Sequence, residues 1–281
     1  MENNPRGMVV ITGATSGIGH AAAELLLRNG YPVIGVGSRP ERAEAARERL
    51  LAAVPGADVL FLSADLSETV EVRRLAEDIR AVLSRRNLPL FCLANNAGGV
   101  RDRYVTTSEG FEFTFALNHL AGFLLTRLLE PELKDGIVLF TTSYAHLRGR
   151  IHWKDVMLKH SFNVLSAYRQ SKLAQVMTAA ELRRRGHRAF CIDPGLVKTE
   201  IGDKGTRGLA RLVWLLRKKQ GTGTEVPART FLYLCGHPDA EGLCFRDSAP
   251  VPHNKRADDP VQTARLFALS ESLCGLRTSD K

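Results

Sequence analysis

No apolar run in the sequence approaches the roughly 18 residues needed to cross a bilayer, so no membrane span is expected. The first apolar run already begins at Met8, which leaves no length for a secretory signal, and a cytoplasmic protein is expected. Cysteine is sparse: the five residues Cys92, Cys191, Cys235, Cys244 and Cys274 are scattered, odd in number and without CxxC spacing. That pattern argues against a disulfide framework and against a zinc or other metal site. Acidic residues are also in deficit, with 30 Asp and Glu against 39 Lys and Arg, a formal charge of +9. The basic runs RRRGHR at Arg183–Arg188 and RKK at Arg217–Lys219 raise the question of nucleic acid. They come with no recognition motif and no interleaved aromatics, so solvated helix ends are the plainer reading and no nucleic-acid partner is expected. The same positive field would draw an anionic cofactor.

What is present is an ordinary globular balance, 281 residues with 44% hydrophobic and 25% charged, long enough for one large α/β domain. The organising stretch is Met8–Gly19, MVVITGATSGIG. Four apolar residues read as a buried strand, Gly13, Gly17 and Gly19 as a tight turn, and Ala22, Ala23, Leu26 and Leu27 as the apolar face of a helix. Glycines there admit a ligand close to the backbone, and the unpaired N–H groups of a helix's first turn attract phosphate. Strands are then expected at 32–37, 58–62, 89–94, 136–141, 188–192 and near 242–245, separated by helices that include 40–53, 108–129, 225–235 and 260–273. Alternation of this kind predicts a single-domain, Rossmann-like doubly wound parallel sheet of about seven strands with helices on both faces. Ligands in such sheets sit at the strands' carboxyl ends, where Gly13, Arg39, Asp65 and Asn95 would lie.

Six residues at four places could carry chemistry. At the end of the second strand Ser38 stands where an acid would hold the ribose hydroxyls of NAD(H), and Arg39 follows it, which favours the 2′-phosphate of NADP(H). Tyr168 and Lys172 are four apart on an expected helix and share a face. Ser143 follows the fifth strand, and Asn118 is a lone amide in an apolar helix, either a satisfied core residue or a functional one. His152, Trp153 and His160 lack metal spacing and read as loop residues.

In this order TGATSGIG, the Asp65–Leu66 pair, NNAG at Asn95–Gly98 and the set Asn118, Ser143, Tyr168 and Lys172 resemble the short-chain dehydrogenase/reductase family over nearly the whole chain. DLSETVEVRRLA, GFEFTFALNHLAGFLLTRLL, SYAH and SKLAQVMTAAELRRRG look like the branch that holds retinol dehydrogenases, the WW-domain oxidoreductase and protochlorophyllide reductase. The resemblance implies a cofactor site built from Gly13, Thr15, Ser16, Gly17, Ile18, Gly19, Arg39, Asp65, Leu66, Asn95, Ala97, Tyr168, Lys172, Val197 and Thr199. It implies Tyr168 as proton donor and acceptor, Ser143 polarising the substrate oxygen, Lys172 tuning Tyr168 and holding the nicotinamide ribose, and Asn118 supporting a water-linked proton relay. Asp193 precedes the Pro194–Gly195 turn where the family often carries His.

Hydride transfer to a carbonyl develops charge on oxygen, which needs a proton donor and a hydrogen-bonding neighbour. A nearby ammonium and an oxidised nicotinamide would lower a tyrosine pKa that is otherwise near 10. Leu209, Leu212, Val213, Trp214, Leu215 and Leu216, flanked by Arg207, Arg211, Arg217, Lys218 and Lys219, suggest a substrate lid at about 200–223; core packing comes second, and peripheral membrane contact through 207–219 third. The expected activity is NADP(H)-dependent interconversion of a lipophilic carbonyl, retinal-like or steroid-like, and its alcohol. A catalytically silent NADP(H)-binding regulator is the alternative, against which the complete Asn118, Ser143, Tyr168 and Lys172 set argues. The pattern is compatible with a homo-oligomer.

Overall fold

Met8–Thr12 forms β1, buried along its whole length. Its side chains alternate between two cores: Met8 and Val10 join one, Val9 and Ile11 the other. A strand that serves two cores needs helices on both faces, and the rest of the chain supplies them.

The computed structural model describes residues 7–197 and 222–276. After β1 come α1 (Gly17–Arg28), β2 (Val33–Gly37), α2 (Pro40–Ala53), β3 (Val59–Ser63), α3 (Thr69–Arg86) and β4 (Leu90–Asn95). They are followed by α4 (Phe113–Phe115), a π-helical turn (Ala116–Leu120), α5 (Ala121–Leu128), β5 (Ile137–Thr141), α6 (Val164–Arg184) and β6 (Arg188–Ile192). The described remainder holds α7 (Glu225–Gly236), β7 (Cys244–Arg246), β8 (Ala249–Val251) and α8 (Pro260–Leu273). The sheet order is β3-β2-β1-β4-β5-β6-β7-β8. Every pairing is parallel except the last, where β8 turns back antiparallel on β7.

Leu26 of α1, Leu50 of α2 and Phe231 of α7 fill the core on one side. Leu75 of α3, Leu124 of α5 and Leu173 of α6 fill the other. Over that second layer lies α8, with Phe267 edge-on to Phe123 at 4.9 Å between ring centroids. All five cysteines are free and buried. The chain order reverses between β1 and its neighbour β4, so the crevice that such sheets use for ligands opens at the carboxyl ends of these two strands.

The doubly wound sheet of about seven strands is as expected, with eight strands among the described residues, the eighth added by a short hairpin. Two expectations about one helix are corrected. The helix expected over 108–129 starts at Phe113: Thr106 and Glu112 form a bridge, and the Glu112 carboxylate caps the helix through the backbone N–H groups of Thr114 and Phe115. That helix is also interrupted by the π turn, in which the N–H of Ala121 reaches back five residues to the carbonyl of Ala116. Thr199 and the basic apolar segment 207–219, with most of the expected lid, lie outside the described residues.

Candidate active site

The turn after β1 forms a cradle whose geometry and free N–H groups could hold an anionic ligand. Gly13 has φ +69°, a backbone conformation that L side chains rarely adopt, and a Cβ there would lie 3.0 Å from the Cα of Ala97. A Cβ on Gly19 would come within 2.5 Å of both the Gly13 carbonyl oxygen and Asn96 Nδ2, so helix α1 starts hard against the strand end. Ser16, at the N-cap, makes no side-chain cap hydrogen bond, which leaves the first-turn N–H groups of a twelve-residue helix for an anion. Thr15, Gly17 and Ile18 complete this turn.

Beside the cradle, Ser38 and Arg39 are exposed where β2 gives way to α2. Among the described residues Arg39 has no carboxylate partner. Asp65 is exposed after β3, where its Oδ1 accepts from the backbone N–H of Ser67 (3.0 Å) and from the Ser67 hydroxyl (2.7 Å), while Leu66 turns inward. A carboxylate fixed in this way keeps Oδ2 for another donor.

The two asparagines of NNAG do different work. Asn95 is buried and donates to Thr126 Oγ1 (3.0 Å) across the helix layer. Asn96, which the sequence reading passed over, ties three strand ends together. Its Nδ2 donates to the Thr12 carbonyl (2.9 Å), its Oδ1 accepts from Thr141 Oγ1 (3.1 Å), and its N–H donates to Thr12 Oγ1 (2.9 Å). Ala97 N–H joins the same hydroxyl at 2.9 Å.

The expected catalytic residues come from three elements. Ser143 begins a 3-10 helix (Tyr144–Arg148) directly after β5. Its neighbour Thr142 donates to the backbone carbonyl of Lys172 (3.0 Å), which locks the strand end to α6. Tyr168 and Lys172 lie one turn apart on α6, with the Lys172 Nζ 5.8 Å from the centre of the Tyr168 ring. Lys172 is buried and donates to the Thr141 carbonyl (2.8 Å) and to Gln175 Oε1 (3.2 Å), both neutral, and burial lowers its pKa to about 7. Asn118 sits in the π turn, where its Oδ1 accepts from Gly99 N–H (2.8 Å) and its Nδ2 donates to Ser171 Oγ (3.0 Å). A Cβ at Gly98 would lie 3.1 Å from Asn118 Oδ1 and 3.6 Å from Lys172 Nζ, so NNAG also borders this cluster. Asn118, Lys172 and the end of β5 are thus brought to one place, next to the cradle.

Two further side chains hold the region. Asn254 Nδ2 donates to the carbonyls of His146 (2.9 Å), Leu147 (3.1 Å) and Gly149 (3.2 Å), and so clamps the segment that follows Ser143. Asp193, buried at the end of β6, accepts from Gly195 N–H (3.0 Å) and pairs with Arg246. This pairing accounts for an acid before the Pro194–Gly195 turn: a cation from β7 waits for it. Val197 forms an isolated parallel bridge with Thr222. No sequence motif flagged Asn254 or Arg246, since both act across more than 50 residues of chain.

The family model for short chain dehydrogenases matches residues 7–209. A protein of Streptomyces sp. (strain C5) provisionally named daunorubicin C-13 ketoreductase is 41% identical over 277 residues, covering 96% of this chain and 93% of its own. Retinol dehydrogenase 12 of Mus musculus is 34% identical over 285 residues, covering 97% of this chain and 88% of its own. Among solved structures, the short-chain dehydrogenase from Sphingobium yanoikuyae in complex with NADPH superposes with a TM-score of 0.65 at 21% identity, over 98% of each chain.

Proposed function

The chain belongs to the short-chain dehydrogenase family, and from that premise we propose that it interconverts a bulky lipophilic ketone or aldehyde and its alcohol, with NADP(H) as hydride carrier. The observation that carries this reading is the buried Lys172 ammonium 5.8 Å from the Tyr168 ring, beside Asn118 and at the edge of the glycine cradle.

The cradle at Gly13–Gly19 fits the pyrophosphate, and the exposed Arg39, with Ser38 in place of an acid, fits a 2′-phosphate. When bound, the nicotinamide ring supplies or accepts the hydride. Tyr168 is proposed to give the carbonyl oxygen its proton during reduction and to take it back during oxidation. Ser143 polarises the same oxygen, and Lys172 stabilises the phenolate and holds the ribose. Asp65 and Leu66 border the adenine, Asn95 and Ala97 the cofactor's inner edge, and Val197 and Thr199 the nicotinamide.

A lipophilic substrate is supported by the surface. Of the five large hydrophobic residues exposed among the described residues, Tyr144 follows Ser143, Leu165 lies about one turn before Tyr168, and Leu196 follows the Pro194–Gly195 turn. Exposed apolar side chains close in sequence to the proposed polar residues suit a ligand with much carbon and one reactive oxygen. The names of the Streptomyces and mouse relatives point to substrates of that kind.

The test is NADPH oxidation by the purified protein against retinal, long-chain aldehydes, steroid ketones and quinones, with Tyr168→Phe as control. Turnover that the substitution removes while NADPH still binds supports the assignment. Tight NADPH binding with no turnover of any substrate by the wild type would overturn it.

A further inference from the structure

We infer that Gln175 is a positioning residue for this chemistry: its side-chain amide joins the Lys172 ammonium to the main-chain carbonyl of Asn118. The inference rests on the function proposed above for its catalytic meaning, and on geometry alone for the contact.

Positions 168, 172 and 175 share one face of α6, so the Gln175 side chain emerges beside Lys172. It is buried, with Oε1 3.2 Å from Lys172 Nζ and Nε2 donating to the Asn118 carbonyl at 2.7 Å. Only one orientation of the amide serves both neighbours, because an ammonium has no acceptor to offer and a carbonyl no donor. The π turn bears the other end: Asn118 lies within the widened segment, and its carbonyl reaches α6 through Gln175. Lys172 has three N–H donors, of which Thr141 O and Gln175 Oε1 take two. Gln175 therefore fixes the rotation of the ammonium and leaves one N–H for Tyr168 and the ribose.

The titratable groups facing Lys172 are Tyr168 on its own helix, Cys191 on β6 and Asp193 just beyond it; Thr141, Asn118 and Gln175 are neutral. The amide is thus the one acceptor from a side chain in hydrogen-bond contact with the ammonium among the described residues. Removing it deprives the charged form of a partner, while a carboxylate in its place supplies a stronger one.

The experiment follows the Lys172 side chain directly, by NMR titration of lysine-labelled protein assigned with Lys172→Met, in wild type, Gln175→Leu and Gln175→Glu, with thermal melting to confirm folding. The Lys172 midpoint is expected to fall by about one pH unit in Gln175→Leu and to rise by at least as much in Gln175→Glu. In turnover, Gln175→Leu is expected to lower kcat roughly tenfold with little change in KM, and to shift the alkaline limb of its pH profile downward. An unmoved midpoint in both folded variants would overturn the inference. Should Gln175→Leu fail to fold, Gln175→Glu and the amide-preserving Gln175→Asn decide it: the Asn variant is expected to keep part of the wild-type kcat, and equal midpoints across these two and wild type would sink the idea. A moved midpoint in a protein that reduces no carbonyl would overturn the proposed function and leave the contact standing.

Discussion

The buried carboxylate of Asp193 is held by the guanidinium of Arg246, reached across the β6–β7 pairing, and its other oxygen caps Gly195. Two consecutive strands and the turn after β6 are thereby fixed by one ion pair. Arg246→Met leaves the carboxylate buried without its cation, a loss expected to cost about 3–5 kcal/mol in urea unfolding. Asp193→Asn in the same chain removes the stranded charge and should recover most of that loss. A cost below about 1 kcal/mol for the single variant would mean that water screens the pair.

Arg39 is the residue proposed to carry the cofactor preference. Arg39→Asp is expected to weaken NADPH binding roughly 100-fold, from a lost charge-assisted contact and a new repulsion, and to change NADH binding by no more than about threefold. Fluorescence titration of both nucleotides measures the ratio; equal losses would remove the 2′-phosphate from the Arg39 assignment.

Lys172 sets a pH dependence of stability. Its folded pKa of about 7 lies below the ordinary 10.5, so between those values the unfolded chain holds one more proton than the folded one. Stability due to this group therefore rises with pH from about 7 to about 10, and the burial penalty is felt in full below 7. Melting of wild type against Lys172→Met should show the wild type gaining on the variant across that window, each kcal/mol being worth about 2–4 °C at this chain length. A difference that stays flat with pH would show that folded Lys172 keeps its proton across the window, as it does in water.

Much of this arrangement was readable before any coordinates, and the reasons differ by element. β6 at Arg188–Ile192 and the helix at Pro260–Leu273 fall where apolar runs and an Asp–Pro start place them, because local composition decides both. The glycine turn was readable since only glycine suits φ +69° at position 13. The start of the helix at Phe113 was not, because Phe111, Phe115 and Leu120 keep an apolar spacing straight through the bend at Glu112 and the π turn. Asn96 and Gln175 escaped for another reason: each acts by bonding backbone carbonyls of distant segments, and no spacing rule announces such a partner. For Gln175 its place on the Tyr168–Lys172 face was the available signal.

At its last strand the sheet ends on Ala249, Pro250 and Val251, three residues with proline in the middle. Pro250 has no N–H, so this border offers a neighbour an interrupted row of donors and little length to grip. A sheet whose first six strands are five or six residues long and largely apolar thus ends, on this side, in a border poorly suited to pairing with a second molecule.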